Sequence, residues 1–137
     1  MRYLVDVEND LGNGHYYTSV SQHRHHTNNE KSRWTITIPE EINCFLVSNS
    51  NKWNHPGKDK MIAWGFISDQ GRFKILGENC IYSDLKIAKF FGINNRWHGF
   101  PADYRNNQAD RPPTDILLKW VDKTTARKIR GGQKCNL

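Results

Sequence analysis

The alternation of apolar and polar residues predicts antiparallel strands through the first half of the chain. In residues 33–38 every second residue is apolar, so Trp34 and Ile36 would face a core while their neighbours face water. Pro39 would end this strand, because proline cannot donate a hydrogen bond to the sheet. Further strands are predicted at 2–7, 15–20, 42–47, 61–67 and 72–76.

Clusters of turn residues separate these strands. The residues at 9–14 would close an opening hairpin, and those at 68–71 a second one, where Gly71 supplies the positive φ that a tight turn needs. Residues 48–60 are predicted to form a polar loop. The predicted sheet therefore has about five or six strands.

Three short helices, mostly C-terminal, complete the predicted α+β fold. Ser83 would cap a helix that ends at Phe91. A second helix would begin near Thr114, and a third would end at Arg130 ahead of a pair of glycines. The chain shows no internal repeat and no linker, so residues 1–137 are expected to form a single domain.

The positive charge of the chain is concentrated near the C-terminus. The formal net charge is +6, and residues 94–137 hold nine lysines and arginines against four aspartates. A C-terminal segment with this excess of positive charge favours a negatively charged partner, which would be either a nucleic acid or an acidic protein surface. The mean hydropathy is −0.80, and no apolar run is long enough to cross a membrane. No membrane partner is expected.

The three cysteines have no metal-type spacing and follow no signal peptide, which favours free thiols in a cytoplasmic protein. No dinucleotide, phosphate-loop or zinc motif is present, so no cofactor is assigned. Three regions remain as candidates for chemistry or binding. They are the segment 94–113, the histidine run that begins at His23, and the basic tail at 127–134.

The segment 94–113 has neither helical nor strand periodicity, yet it is rich in aromatic and charged residues, so we predict a functional loop. His98 is the candidate for proton transfer, Asp103 would orient it, and Arg105 would stabilise developing charge. Stacking and phosphate contacts are assigned to the loop and the basic tail, namely to Arg96, Trp97, Tyr104, Arg111, Arg127, Lys128, Arg130 and Lys134.

These residues favour a small nucleic-acid-binding protein, with RNA preferred over DNA, and a metal-independent ribonuclease is included in that hypothesis. A purely structural role for the segment is equally open, with Trp97 filling the core and the aspartates paired to arginines. Two other functions stay open. One is a non-enzymatic protein-binding module, such as a phage or mobile-element inhibitor, and the other is an enzyme acting on a small nucleotide.

His23, His25 and His26 lie close enough in sequence to suggest zinc ligands, but no cysteine is near them, so a solvated loop is favoured and no metal is assigned. Residues 3–9 resemble the first strand of NYN/PIN-type ribonucleases, which implies a metal-binding role for Asp6. That fold alternates strands and helices, whereas antiparallel strands are predicted here, so the chain is not assigned to the family.

Overall fold

The computed structural model describes residues 6–24 and 31–137 and has an α+β fold built on a six-stranded sheet. In spatial order the strands are β1 (Val7–Gly12), β2 (His15–Ser19), β11 (Arg96–Ala102), β10 (Ile87–Ile93), β5 (Met61–Gly65) and β4 (Asn54–Pro56). β2 and β11 are parallel and all other neighbours are antiparallel. The fold class and the number of strands are confirmed, but the sheet is mixed.

Shorter elements and three helices complete the described part of the chain. A small sheet contains β3 (Arg33–Trp34), β8 (Gly77–Glu78) and β9 (Asp84–Leu85), and a short hairpin pairs β6 (Ser68–Asp69) with β7 (Arg72–Phe73). The α-helices are α1 (Ile38–Ser50), α2 (Thr114–Trp120) and α3 (Lys123–Arg130). Two 3-10 turns are formed by Ser21–His23 and Gln108–Asp110.

Helix α1 replaces two predicted strands and part of a predicted loop. The strand predicted at 33–38 ends at Trp34, and the one predicted at 42–47 is helical. Thr37 caps the helix by accepting a hydrogen bond from the Glu40 amide, and the Glu40 carboxylate accepts one in return from the Thr37 amide. Pro39 lies in the first turn, where its missing N–H costs nothing, so it begins a helix instead of ending a strand.

The predicted helix at 83–91 is also wrong, and so is the predicted loop at 94–113 as far as Ala102, because β10 and β11 form a long hairpin. Residues 103–113 are irregular apart from a 3-10 turn, so the loop prediction is confirmed there. Most of β10 is buried on both faces, and such a strand has the nearly continuous apolar sequence that also suits a helix. Asn94 and Asn95, with φ of 52° and 64°, form the two-residue turn. In β11 two of the buried alternate positions are occupied by Gly99 and Pro101. Because these are not the large apolar residues expected there, the sequence does not show the apolar–polar alternation of a strand.

Several predictions with strong local signals are confirmed. The opening hairpin forms, although β1 continues to Gly12 and the turn is at 13–14. Strand β5 and the two C-terminal helices lie where they were predicted, and Asp122 caps α3 by accepting a hydrogen bond from the Thr125 amide at 2.7 Å. Residues 1–5 of the first predicted strand, and His25 and His26, lie outside the described residues.

The helices cover the two faces of the sheet unequally. On one face α1 packs Phe45 against Tyr17, Phe90 and Trp97 in a continuous aromatic core. On the other face α2 and α3 cover only one end, around a second core whose members are Trp64, Ile87, Ala102, Ile116, Leu117, Ala126 and Ile129. No helix within residues 6–24 and 31–137 covers the remainder of that second face, along the turn-proximal ends of β10 and β11.

Candidate nucleic-acid interface

The uncovered part of the sheet carries a row of rings. Phe91 on β10 pairs in register with His98 on β11, and their ring centroids are 5.9 Å apart. Phe100, two residues further along β11, lies 5.9 Å from the same Phe91 ring. The parallel pairing of β11 with β2 places Tyr16 opposite Arg96 on this face. We call Tyr16, Phe91, His98 and Phe100 the ring row.

The ring row borders a groove of about 430 Å³. Phe91, His98 and Phe100 form one wall, and His23, Lys31 and Asp103 are among the residues of the other sides. Phe91 and Phe100 are half-buried, and His98 is exposed. The groove therefore combines flat aromatic surface with polar groups, which is the composition that single-stranded nucleic acids contact.

Cations lie over the rings. Lys60 Nζ is 4.1 Å from the centroid of Phe91, and Arg96 Cζ is 4.6 Å from that of Tyr16. Arg96 also donates to Glu8 Oε1 at 2.7 Å, in an exposed ion pair. Among the described residues Lys60 enters no ion pair, so its charge is available to a ligand. Positive charge beside an aromatic ring suits a phosphate next to a stacked base.

His98 is the predicted proton-transfer residue, and it lies in this groove. Desolvation lowers its pKa, the Lys60 charge lowers it further, and the Asp6 charge opposes both. Asp103 borders the same groove but does not orient His98, because its Oδ2 accepts hydrogen bonds from the side chains of Asn79 and Asn106, each at 3.0 Å. The predicted His98–Asp103 pairing is therefore absent from the described residues.

His23 also borders the groove, although its sequence context did not indicate a role in proton transfer. Its ring stacks on Phe100 with the centroids 5.4 Å apart and the planes at 21°. Its Nδ1 lies 2.8 Å from the Ser32 carbonyl oxygen, which can only accept, so Nδ1 carries the hydrogen. Burial lowers the pKa of His23, against the effect of this hydrogen bond. No local sequence pattern indicates that His23 and His98 line the same groove, because 75 positions separate them.

Other predicted residues lie in a second cleft, also of about 430 Å³, which shares Asn79 and Asp103 with the groove. Its lining includes Tyr104, Arg105 and Lys134. The Tyr104 hydroxyl donates to the Gln133 carbonyl at 3.0 Å, and burial is the main cause of its raised pKa. Arg105 is thus placed away from His98, and the predicted catalytic set is not assembled.

Trp97 does not face solvent, so it cannot stack on a base. It is 7 % exposed and its ring lies 4.9 Å from that of Phe45. Gly92, opposite Trp97 in the hairpin, makes room for the indole, since a Cβ at that position would lie 2.4 Å from the ring. The structural alternative is therefore correct for this residue.

The remaining predicted arginines and lysines separate into two groups. Arg111 donates to the Tyr104 carbonyl at 2.8 Å and to the Arg130 carbonyl at 3.1 Å, and Arg130 donates back to the Pro112 carbonyl at 3.1 Å. This pair ties the chain before α2 to the end of α3. Arg127 and Lys128 are exposed on α3 and line neither cavity. The residues assigned to stacking and phosphate contacts therefore do not share one surface.

No family model matches the chain, and no curated protein or solved structure matches it significantly. Within residues 6–24 and 31–137, no group of three or more histidine, cysteine or acidic side chains is placed to hold a metal ion. None of the helices in that part of the chain combines the length and apolarity that a bilayer span requires.

Proposed function

We propose that the protein binds single-stranded RNA across the ring row and its groove. The observation that carries the proposal is the arrangement of Lys60, Phe91 and His98, which places a cation and two flat rings side by side on an uncovered sheet face. Unpaired bases stack on such rings, and the neighbouring cations attract the phosphates between the bases.

The shape of the surface favours a single strand over a duplex. A sheet face cannot enter the major groove of DNA as a recognition helix does, whereas splayed bases can lie flat on it. The basic helix α3 has only eight residues, and its end is held by the hydrogen bonds of Arg111. The net charge of +6 adds a general attraction for the phosphate backbone.

RNA is favoured over DNA because the groove places polar groups beside the rings. Gln22, Lys31 and the imidazole of His98 border it, and such groups can contact a 2′-hydroxyl, which DNA lacks. The free cysteines Cys44, Cys80 and Cys135 support a reducing, cytoplasmic location for this activity.

The proposal is tested by fluorescence anisotropy with a labelled unstructured RNA, the matching DNA strand and an RNA duplex. Wild type should bind the single-stranded RNA most tightly, and Phe91→Ala should weaken that binding. Leu118→Ala removes an exposed apolar side chain on α2 and serves as the control. Equal affinity of wild type and Phe91→Ala would remove the ring row from the interface.

Protein binding is the second candidate, favoured by the exposed turn at 80–83. Ile81 is 71 % exposed, and Asn79 holds the turn rigid by accepting from the amides of Ile81 and Ser83. A rigid apolar tip is a common anchor at protein interfaces. Affinity that is insensitive to salt and to Phe91→Ala, but lost in Ile81→Asp, would favour this function.

A further inference from the structure

We propose that His23 and His98 form a base and acid pair that cleaves the bound RNA at a 2′-hydroxyl without a metal ion. The inference rests on the proposed RNA binding and adds a reaction to it. Both histidines border the same groove, and they reach it from distant parts of the sequence.

His23 has the geometry of a general base. Because Nδ1–H is held by the Ser32 carbonyl, the lone pair of the ring lies on Nε2. The stack on Phe100 fixes the plane of the imidazole. Burial keeps the ring neutral by lowering its pKa, so a proton acceptor is present at neutral pH.

His98 lies next to this base along the wall of the groove. It is two residues from Phe100, on the same face of β11, so their Cα atoms are about 7 Å apart. His23 stacks on that Phe100 ring, and the His98 charge is among the influences on the pKa of His23. Two imidazoles that line one groove beside the same Phe100 ring can flank one phosphodiester, one on the side of the attacking oxygen and one on the side of the leaving oxygen.

Charged groups around the pair include both cations and acids. Lys31 borders the groove and acts on His23, and Lys60 acts on His98. Either lysine would stabilise the charge that develops on the non-bridging phosphate oxygens. Among the described residues, the acids at or near the groove are Asp6, Asp103 and Asp110, and each accepts a hydrogen bond within the protein.

The reaction needs no co-reactant. His23 Nε2 takes the proton of the 2′-hydroxyl, the 2′-oxygen forms a bond to phosphorus, and the bond between phosphorus and the 5′-oxygen breaks. Protonated His98 gives its proton to that 5′-oxygen. Because the pKa of His98 is also lowered, by desolvation and by the Lys60 charge, the reaction is expected to be fastest below pH 6.5. The products are a 2′,3′-cyclic phosphate and a 5′-hydroxyl, and exchange with water returns each histidine to its starting protonation state.

The test uses the full chain with EDTA and two labelled strands, an all-deoxy strand and the same strand with one ribonucleotide. Wild type should cleave only the strand with the ribonucleotide and leave a cyclic phosphate, identified by mass spectrometry. The rate should pass through a maximum with pH, since one histidine acts neutral and the other protonated. At saturating RNA, His23→Gln and His98→Gln should each lower the rate of cleavage of the bound strand by about 10²- to 10⁴-fold. His98→Gln also removes a stacking ring and should weaken RNA binding by about 5- to 150-fold, so the two variants are compared with wild type only where each is saturated.

The matched control is His55→Gln. His55 lies outside the groove and pairs with Asp115 at 2.8 Å. The His55→Gln variant should cleave the strand with the ribonucleotide at the wild-type rate. Circular dichroism checks folding, and the exposed His98 keeps the test valid if the buried His23→Gln variant does not fold.

Three results would overturn the inference. These are no cleavage by wild type between pH 4.5 and 8, cleavage that survives both histidine substitutions, and an equal loss of rate in His55→Gln. Intact RNA that remains bound would leave the proposed binding function standing. Absence of RNA binding would instead overturn the proposed function itself.

Discussion

Lys60 Nζ lies 4.1 Å from the centroid of the Phe91 ring, on a part of the sheet that none of the described helices covers. Elsewhere in the structure aromatic rings are packed against one another, as Phe66 and Phe73 are at 3.9 Å. Phe91 has two cations beside it. Lys89 Nζ lies 5.0 Å from the same centroid and 3.9 Å from Asp110 Oδ1, whereas Lys60 enters no ion pair among the described residues. That combination is the physical basis of the proposed RNA interface.

Replacement of Phe91 by alanine should weaken binding of single-stranded RNA by about 5- to 150-fold, because one base–ring stack contributes about 1–3 kcal/mol. Fluorescence anisotropy at fixed salt measures the change. Leu118→Ala should bind like wild type, and a similar loss in both variants would point to a general effect on the fold.

Replacement of Lys60 by glutamine should reduce the salt dependence of RNA binding. One lost phosphate contact lowers the slope of log affinity against log salt by about 0.7 for a single strand. Titrations at several salt concentrations give the slope. Lys119→Gln, an exposed change on α2, is the matched control. An unchanged slope for Lys60→Gln would mean that this lysine contacts no phosphate.

Replacement of Glu41 by alanine should destabilise the protein by about 3–5 kcal/mol, because it removes the buried carboxylate that neutralises the charge of a buried arginine. Glu41 is fully buried and accepts hydrogen bonds from the Tyr17 hydroxyl at 2.5 Å, from Ser19 at 2.7 Å and from Arg24. Urea unfolding measures the loss. Glu8→Ala, which removes an exposed pair, should cost about 1 kcal/mol or less. Equal effects would contradict the role of this buried network.

Stability should fall between pH 7.5 and 5 in part because of His23. Its folded pKa is lowered from 6.5, so the unfolded chain binds protons first on acidification. The contribution of His23 is thus present above pH 6.5 and is lost as the pH falls through that value. His23→Gln should show a smaller difference in Tm between the two pH values. The stability contributed by the Glu40–Lys74 ion pair is lost only below pH 4.5. There the unfolded chain begins to bind a proton at Glu40, whereas in the folded protein the pKa of Glu40 is lowered to about 2.

An equal loss of Tm in wild type and His23→Gln would contradict this assignment. It would mean that other groups, of which His98 is the nearest in the groove, account for the pH dependence.

Local signals in the sequence predicted the elements that depend on local interactions. The Asp122 cap and the glycines after Arg130 defined α3, and the turn residues of the first hairpin defined β2. The same kind of signal was available for α1, in the spacing of Thr37 and Glu40, but the apolar run after it also suits a strand. The β10–β11 hairpin could not be recognised by periodicity, because Gly92 and Gly99 occupy core-facing positions.

The candidate site was predictable only in part. His98 was singled out because a titratable ring stands among cations and aromatics, and it does lie in the groove. Its neighbours Phe91 and His23 depend on contacts between distant segments, which residue types alone do not reveal. Trp97 was assigned to the surface, and its burial follows from the space at Gly92 on the opposite strand.

The most direct test of the RNA interface is a titration of the ¹⁵N-labelled protein with a short single-stranded RNA, followed by NMR. We expect the largest amide shift changes at Tyr16, Phe91, His98 and Phe100, with little change along α3. Changes confined to 127–134, or none at saturating RNA, would contradict the assignment of the uncovered sheet face as the binding surface.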